Sequence, residues 1–472
     1  MKKYFALIGA AVLIVALVSP AMAQEDWTKG FKTTSLFQIW SNWIKKQDFN
    51  NGPTSATTDD NRDQTLKGIS SRVNFYLEWG NAKYVRAVVG FEMDSTNWGE
   101  SQWTSAETTV SNPNNRYGVR NTDQVQLEIK HAYLDFTIPN TPLRLALGVQ
   151  GFYIGGRLFQ SIDVPGATLT ADFAPHKVMA YWWRENDGLG TNVTDREKYN
   201  VNDTYTLQYQ LNQKEFNVYA YGAYKNDLRA ANNYYDHPYW IGVGGGFRPG
   251  NFDFSGQLVY LGGTRERDLP DASGIKDQDF SAFALEALAQ YRIGPGLLVG
   301  LEGYYSTGND PDDPSKIKLY QTAAGSETYS NFGLDRSVFF FMNFGQLGGQ
   351  HSKVSTGYLG YYYGRANVDY SPLAWLRLNF NYLYIGDTSS GTANGTKLVN
   401  TSNTGVQQVK DESFVGHEIN LITTLKIYQN FTYRFGFGYF LPGAVYDQYT
   451  AGVKTKGPDN AWAVNTGCQL AF

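Results

Sequence analysis

Counting in twos from Phe431, the chain reads Phe431, Tyr433, Phe435, Phe437 and Tyr439, and between them stand Thr432, Arg434, Gly436, Gly438 and Phe440. Over 415–427, Val415, His417, Ile419, Leu421, Thr423, Leu425 and Ile427 oppose Gly416, Glu418, Asn420, Ile422, Thr424 and Lys426. Over 69–79, Ser71, Val73, Phe75, Leu77 and Trp79 oppose Ser70, Arg72, Asn74, Tyr76 and Glu78. A period of two is the side-chain period of a strand, so each stretch predicts a strand with one apolar and one polar face. The first face of each suits hydrocarbon and the second a wet interior.

Such segments recur along the chain, and their connections are alternately short and long. The short ones are turn-like, at Gly80-Asn81, Pro139–Pro142, Ala174–Lys177, Asn212–Glu215, Arg248–Asn251, Ile293–Gly296, Ser371-Pro372 and Gln429-Asn430. The long ones are polar and rich in Gly, Asn, Asp, Ser and Thr, near 46–66, 95–122, 153–166, 186–202, 226–237, 263–278, 307–353, 387–412 and 442–459. Nine long connections and eight short ones join eighteen strands. This alternation predicts an all-β fold, a transmembrane antiparallel up-and-down β-barrel with its short turns on the periplasmic side. A soluble sandwich or propeller shares the period but not the segregation of long loops.

Within hydrocarbon every backbone N–H and C=O needs an internal partner, so the sheet must close. Closure predicts that the last strand, within Ala461–Phe472, pairs with the first, Phe31–Lys45. An alternating strand that ends on an aromatic residue, here Phe472, also resembles the signal read by the barrel-assembly machinery.

The amino terminus adds a location. Lys2 and Lys3 precede an apolar run from Tyr4 to Val18, followed by Pro20 and Ala21-Met22-Ala23. This order predicts a signal peptide over 1–23, leaving 24–472 as the barrel. The run is shorter than the roughly 20 residues a membrane-spanning helix needs. Aromatics are 15% of the chain and charged residues only 18%, while mean hydropathy is -0.40. Apolar surface is therefore dispersed in alternation rather than gathered in blocks. The one cysteine, Cys468, makes no intramolecular disulfide and no haem-attachment pair. A net charge of -4 implies no nucleic-acid partner. The expected surroundings are outer-membrane lipid and lipopolysaccharide, with no cofactor and no metal.

Several stretches resemble the eighteen-stranded outer-membrane porins of the alginate-export type. They are His131-Ala132-Tyr133-Leu134-Asp135-Phe136, the run from Leu145 to Arg157, Gly416-His417-Glu418-Ile419-Asn420 and Gly438-Tyr439-Phe440-Leu441-Pro442-Gly443. Gly148-Val149-Gln150 stands where members often carry Gly-Arg-Gln. The resemblance implies a passive channel for a small or polymeric hydrophilic solute in the outer membrane.

A pore selects by width, wall charge and inward loops. Alternation places Arg72, Arg86, Lys130, Arg144, Arg292, Arg365, Arg377, Lys426 and Arg434 on the lumen side, against Glu78, Glu92, Asp94, Glu128, Glu286, Glu302, Asp369 and Glu418. The signs nearly balance, so the charges either line a path or pair across strands and stiffen the wall. A bulge near His131 would change the facing of Glu128 and Lys130. The third loop, Phe152 to Phe159, is apolar for an exposed loop. It is expected to fold inward as a constriction carrying Phe152, Tyr153, Arg157 and Phe159; packing against the rim is the other reading. The seventh loop holds Val338 to Gly345 with several large apolar residues, which fit a plug, a cover, a partner surface or a strand extension. Asn309–Asp313 clusters carboxylates but lacks the spacing of a calcium loop. Tyr219, Tyr221, Tyr361 and Tyr363 are inward candidates for a sugar-stacking surface.

Enzymatic chemistry has little to stand on: five histidines, no Gly-x-Ser-x-Gly and no His-Glu-x-x-His. A sheath around a multihaem partner or an adhesive barrel is the alternative to an open pore. Only Gln24–Gly30 stand between the expected cleavage site and the first strand, so no plug domain is expected before it.

Overall fold

The computed structural model describes residues 30–45, 65–97, 127–186, 202–228, 234–267, 277–308, 310, 313–323, 336–339, 360–389, 412–450, 453–457 and 459–472. The expected signal peptide lies outside the described residues.

Eighteen long strands make the wall. They are β1 (Phe31–Lys45), β2 (Thr65–Asn81), β3 (Val85–Asn97), β4 (Leu127–Thr137), β5 (Leu143–Ile154), β6 (Gln160–Phe173), β7 (His176–Asn186), β8 (Asn202–Asn212) and β9 (Phe216–Asp227). They continue as β10 (Tyr234–Phe247), β11 (Phe252–Arg267), β12 (Gln278–Gly294), β13 (Leu297–Ser306), β14 (Tyr361–Leu373), β15 (Leu376–Asp387), β16 (Phe414–Tyr428), β17 (Phe431–Pro442) and β18 (Ala461–Ala471). Each is antiparallel to the next, and β18 returns to β1 over Leu36↔Ala471 to Lys45↔Trp462. At the seam Ser35 and Phe472 exchange both backbone hydrogen bonds, at 2.5 and 3.0 Å. The sheet is thus a closed eighteen-stranded barrel, and the pairing leaves the wall no edge.

The alternation explains the two surfaces. On β17, Tyr433, Phe435 and Phe437 are exposed while Gly436, Gly438 and Phe440 are buried. On β16, Ile419 and Leu421 are exposed and Glu418, Asn420 and Ile422 are buried. The outer face carries an apolar belt that includes Leu134, Leu207, Ile241, Leu285 and Leu301. Exposed aromatics flank it, with Trp79, Phe173, Phe252 and Tyr428 toward the turns and Trp43, Trp182, Tyr224 and Tyr384 toward the loops. Such a belt with two aromatic girdles is what a bilayer requires of a barrel.

Two return turns lie further along than expected. Gly80 keeps a φ of +108° inside β2 and donates its N–H to Gly30 O, so it kinks the strand rather than turning it. The reversal comes at 82–84, where Asn81 accepts Tyr84 N–H on its carbonyl and Lys83 N–H on its side chain. Likewise, Pro372 falls at a register shift between β14 and β15, where its missing N–H is tolerated, and the turn comes after Leu373. The third loop is shorter than expected. β6 begins at Gln160, so only 155–159 connects β5 to it. The bulge expected near His131 is present: Gly90 pairs with His131 and Phe91 with Ile129, which skips Lys130.

Candidate functional site

The interior is narrowed by two loop segments that sit on the inner wall. The first is the end of the β5–β6 hairpin. β5 last pairs with β4 at Val149 and β6 first pairs with β7 at Gly166. Between them, the strand residues from Gln150 to Val164 pair only with each other. Released from both neighbours, this hairpin crosses toward β9 and β10. Phe152 packs on Trp183 and Tyr181, with ring centroids 5.3 and 6.2 Å apart. At the tip a short helix, Gly156–Phe159, places Phe159 against Tyr221 and Trp240 at 4.8 and 5.5 Å. Gly155 adopts a φ of +63° there, and a Cβ on it would run into the Tyr221 ring.

The second segment belongs to the seventh loop. Lys316–Ile317 runs parallel to β12. Tyr320 then donates its hydroxyl to Leu158 O, and Ala323 N–H reaches Phe159 O at 3.3 Å. Trp240 Nε1 donates to Gln321 O at 2.9 Å and Lys225 Nζ to Ala323 O at 2.7 Å. Burial of Tyr320 pushes its phenol well above the usual range. Further on, Arg336 to Phe339 lies across β12, β13, β16 and β17. Arg336 contacts Glu286 at 3.4 Å and Glu302 at 2.8 Å. Glu418, with no exposed surface, accepts Ser337 Oγ, Val338 N–H and Phe339 N–H at 2.8–2.9 Å. Val338 sits over Gly436 and Gly438, and Phe339 stacks on Phe440 at 5.1 Å. Residues 340–345 of the apolar run lie outside the described residues.

The wall charges are extensively paired across strands. Arg86 bridges Glu78 and Asp135, and Arg144 grips Asp135 with two bonds of 2.5 and 2.6 Å. Lys130 lies 2.9 Å from Glu92 and 3.1 Å from Asp163, and His131 bonds Asp163 too. Arg72 stands 3.8 Å from Glu92. Glu302 receives Arg365 and Tyr363, and Arg365 also bonds Asn381. Arg377 bonds Asp369, which Asn379 joins. Arg292 and Lys426 are exposed toward the turn end, and Arg434 is half-buried opposite Thr424 and Gly467. Glu128 is exposed at the loop end of β4. The side chains of Arg157 and Asp94 lie outside the described residues.

Three groups singled out in the sequence take definite places. Tyr153 is 65% exposed, on the hairpin face opposite Phe152, because adjacent strand residues point opposite ways. Tyr361 and Tyr363 stack with Tyr304 at centroid distances of 4.6–6.4 Å and are covered, as is Tyr221 under Phe159, so these rings offer no open stacking surface. Asp310 and Asp313 both hold Lys318 Nζ, at 2.9 and 3.2 Å, so a lysine occupies the place of the cation considered there. His417 belongs to the outer girdle, bonded to Tyr382 OH at 2.7 Å. Among the described residues, no group of three or more His, Cys, Asp or Glu is placed to hold a metal. Sequence reading passed over Asp135, Lys225 and Asp227, although the alternation that set Tyr219 and Tyr221 inward extends to the last two.

No family model and no curated protein matches the chain. Solved structures from Pseudomonas aeruginosa do. OccK8 (OprE) aligns at TM-score 0.51 and 10% identity, over 95% of this chain and 99% of its own. OpdK, solved with vanillate, aligns at 0.52 and 8%, over 94% and 99%. OprD aligns at 0.50 and 12%, over 96% and 99%. At these identities the shared property is the eighteen-stranded fold. That fold, together with the apolar belt and its girdles, defines a bacterial outer-membrane β-barrel. The matches are of the OccK and OprD type, so the likeness is to eighteen-stranded porins at large and does not single out the alginate-export type.

Proposed function

We propose that the protein is a porin, a passive diffusion channel for small or polymeric hydrophilic solutes. The observation that carries this reading is the contrast of surfaces: an apolar outer belt encloses an interior of cross-strand ion pairs and amides, narrowed but lined by polar groups. Solute gradients would drive flux. Selection would come from the wall charges Arg72, Arg86, Arg144, Arg292, Arg377, Lys426 and Arg434 with their carboxylates, and from the hairpin bearing Phe152, Tyr153, Arg157 and Phe159. The mature chain would begin at Gln24, and the strand ending at Phe472 would be read by the assembly machinery.

The test is single-channel current from purified mature protein in a planar bilayer under a salt gradient. Stable open steps are expected, with a reversal potential that moves toward cation preference in Arg72→Glu and Arg434→Glu. A folded barrel that stays silent across the voltage range would overturn the open-pore reading in favour of a sheath or adhesive role.

A further inference from the structure

Gly222 lies midway along β9 on the outward face, and a Cβ added to it would meet nothing within 4 Å. Its φ is outside the left-handed region, so the backbone does not call for glycine there. Two glycines of the next strand differ. A Cβ on Gly242 or Gly244 would strike the ring of Tyr221 or Tyr219. A glycine inside a strand weakens it and often marks a place that something else approaches closely. No described atom of the chain fills the place beside Gly222.

That place is the floor of a furrow in the outer wall. Two grooves, of about 460 and 640 Å³, share Leu207, Gly222 and Ile241 and so run together. Register explains the shape. Gly222 stands between Leu207 of β8 and Ile241 of β10, each 59% exposed, and Ala220 stands between Tyr209 and Val243. Two small residues in succession on one face of β9 leave a channel with tall apolar sides. Among the described residues, no charged side chain lines either groove.

We propose that this furrow seats one acyl chain of a lipopolysaccharide molecule. It lies within the apolar belt, so hydrocarbon is its solvent, and an unfilled furrow would forfeit dispersion contacts. Width selects the occupant. β8 and β10 stand two strand spacings apart, ~9.4–9.8 Å, before their side chains narrow the gap. A helix needs ~10–12 Å. The convex wall of a second barrel would rest on the rims without reaching the floor. A single hydrocarbon chain reaches it. Trp182, Tyr205, Tyr224 and Tyr239 close around the loop end, and the Tyr224 hydroxyl bonds His237 at 3.2 Å. Polar tips on apolar rings mark the level of the lipid headgroups. The long loops of such a barrel face outward, into the lipopolysaccharide leaflet. Arg184 follows Trp182 on the same outward face, its guanidinium 5.7 Å from that ring and shared with Asp203. It stands at the level of the lipid's phosphates.

Native mass spectrometry of the full mature chain tests this, after incubation in detergent with lipid A or with phosphatidylethanolamine. Gly222→Leu fills the floor. Gly303→Leu is the control, because it adds the same side chain to another outward glycine with open space, outside both grooves. Wild type and Gly303→Leu are expected to retain the mass of one lipid A, and Gly222→Leu to lose it. Ala220→Leu, further along the floor, is expected to lose it too. Four results overturn the proposal: no lipid A retained by wild type, equal retention by Gly222→Leu, loss in the Gly303→Leu control, or equal filling by phosphatidylethanolamine. A wild-type dimer that Gly222→Leu alone dissociates would also overturn it and give the furrow to a second copy.

Discussion

Phe339 donates its backbone N–H to Glu418 at 2.8 Å, across 79 residues of chain and wholly inside the barrel. The same carboxylate holds Val338 N–H and the Ser337 hydroxyl, so one side chain of β16 fastens this part of the seventh loop to the wall. Replacing it with alanine removes a buried carboxyl acceptor shared by three donors. Glu418→Ala is expected to cost roughly 3–5 kcal/mol of stability and to raise single-channel conductance as the segment lifts. Chemical unfolding and bilayer recording check the two effects. A destabilised variant of unchanged conductance would mean that the segment does not narrow the path.

Arg365 and Glu302 form a buried pair, at 2.5–2.9 Å, with Arg336 closing the other side. Arg365→Met strips one partner from a fully covered carboxylate and is expected to cost about 3 kcal/mol or more. Arg365→Met combined with Glu302→Gln should recover part of that loss, because the amide still accepts from Arg336 and Tyr363 while the desolvated charge disappears. Denaturant midpoints of the single and double variants decide the matter.

The outer belt predicts a dependence on depth. Leu301 lies midway along β13 and is 66% exposed, while Tyr428 closes β16 at the turn end and is 69% exposed. Arginine at Leu301 is expected to cost ~2–4 kcal/mol of folding into a bilayer, and arginine at Tyr428 only ~0–1 kcal/mol. Reversible folding into lipid vesicles measures both, and equal costs would place the membrane elsewhere on the barrel.

Tyr320 links the two inward loops through its hydroxyl on Leu158 O, and burial raises its phenol. The docked segment therefore holds the neutral form. A released tyrosine ionises near pH ~10, so the contribution of docking is complete below that and is lost as pH rises through the raised value. Wild-type conductance is expected to increase at alkaline pH above ~10. Tyr320→Phe lacks the titrating group, and its conductance should stay flat over the same range.

The wall was legible because period two survives in single strands: Phe431 to Phe440 alone announces both of its faces. The inward hairpin was legible from one local feature, the apolar run at Phe152 to Phe159. Its partners were not. Leu158 meets Tyr320 across 162 residues, and no periodicity relates two loops that dock on each other. Phe152 and Tyr153 share that run, and strand alternation sends one against the wall and the other to the opposite face. Asp163 reaches Lys130 and His131 only because a bulge turns both of those consecutive side chains inward, and a bulge leaves a faint trace in sequence.

The seam carries a consequence for the order of events in time. Gln38 meets Gln469 across 431 residues at the β1–β18 seam, whereas every other wall pairing among the described strands joins strands consecutive in the chain. Hairpins can therefore zip as soon as their two strands are made, but the ring waits for the final strand. Until then β1 and β18 are raw edges, and the interior is a trough open along its length. The hairpin at Gln150 to Pro165 and the segment at Arg336 to Phe339 can be laid into that trough from the side, before closure turns it into a tunnel.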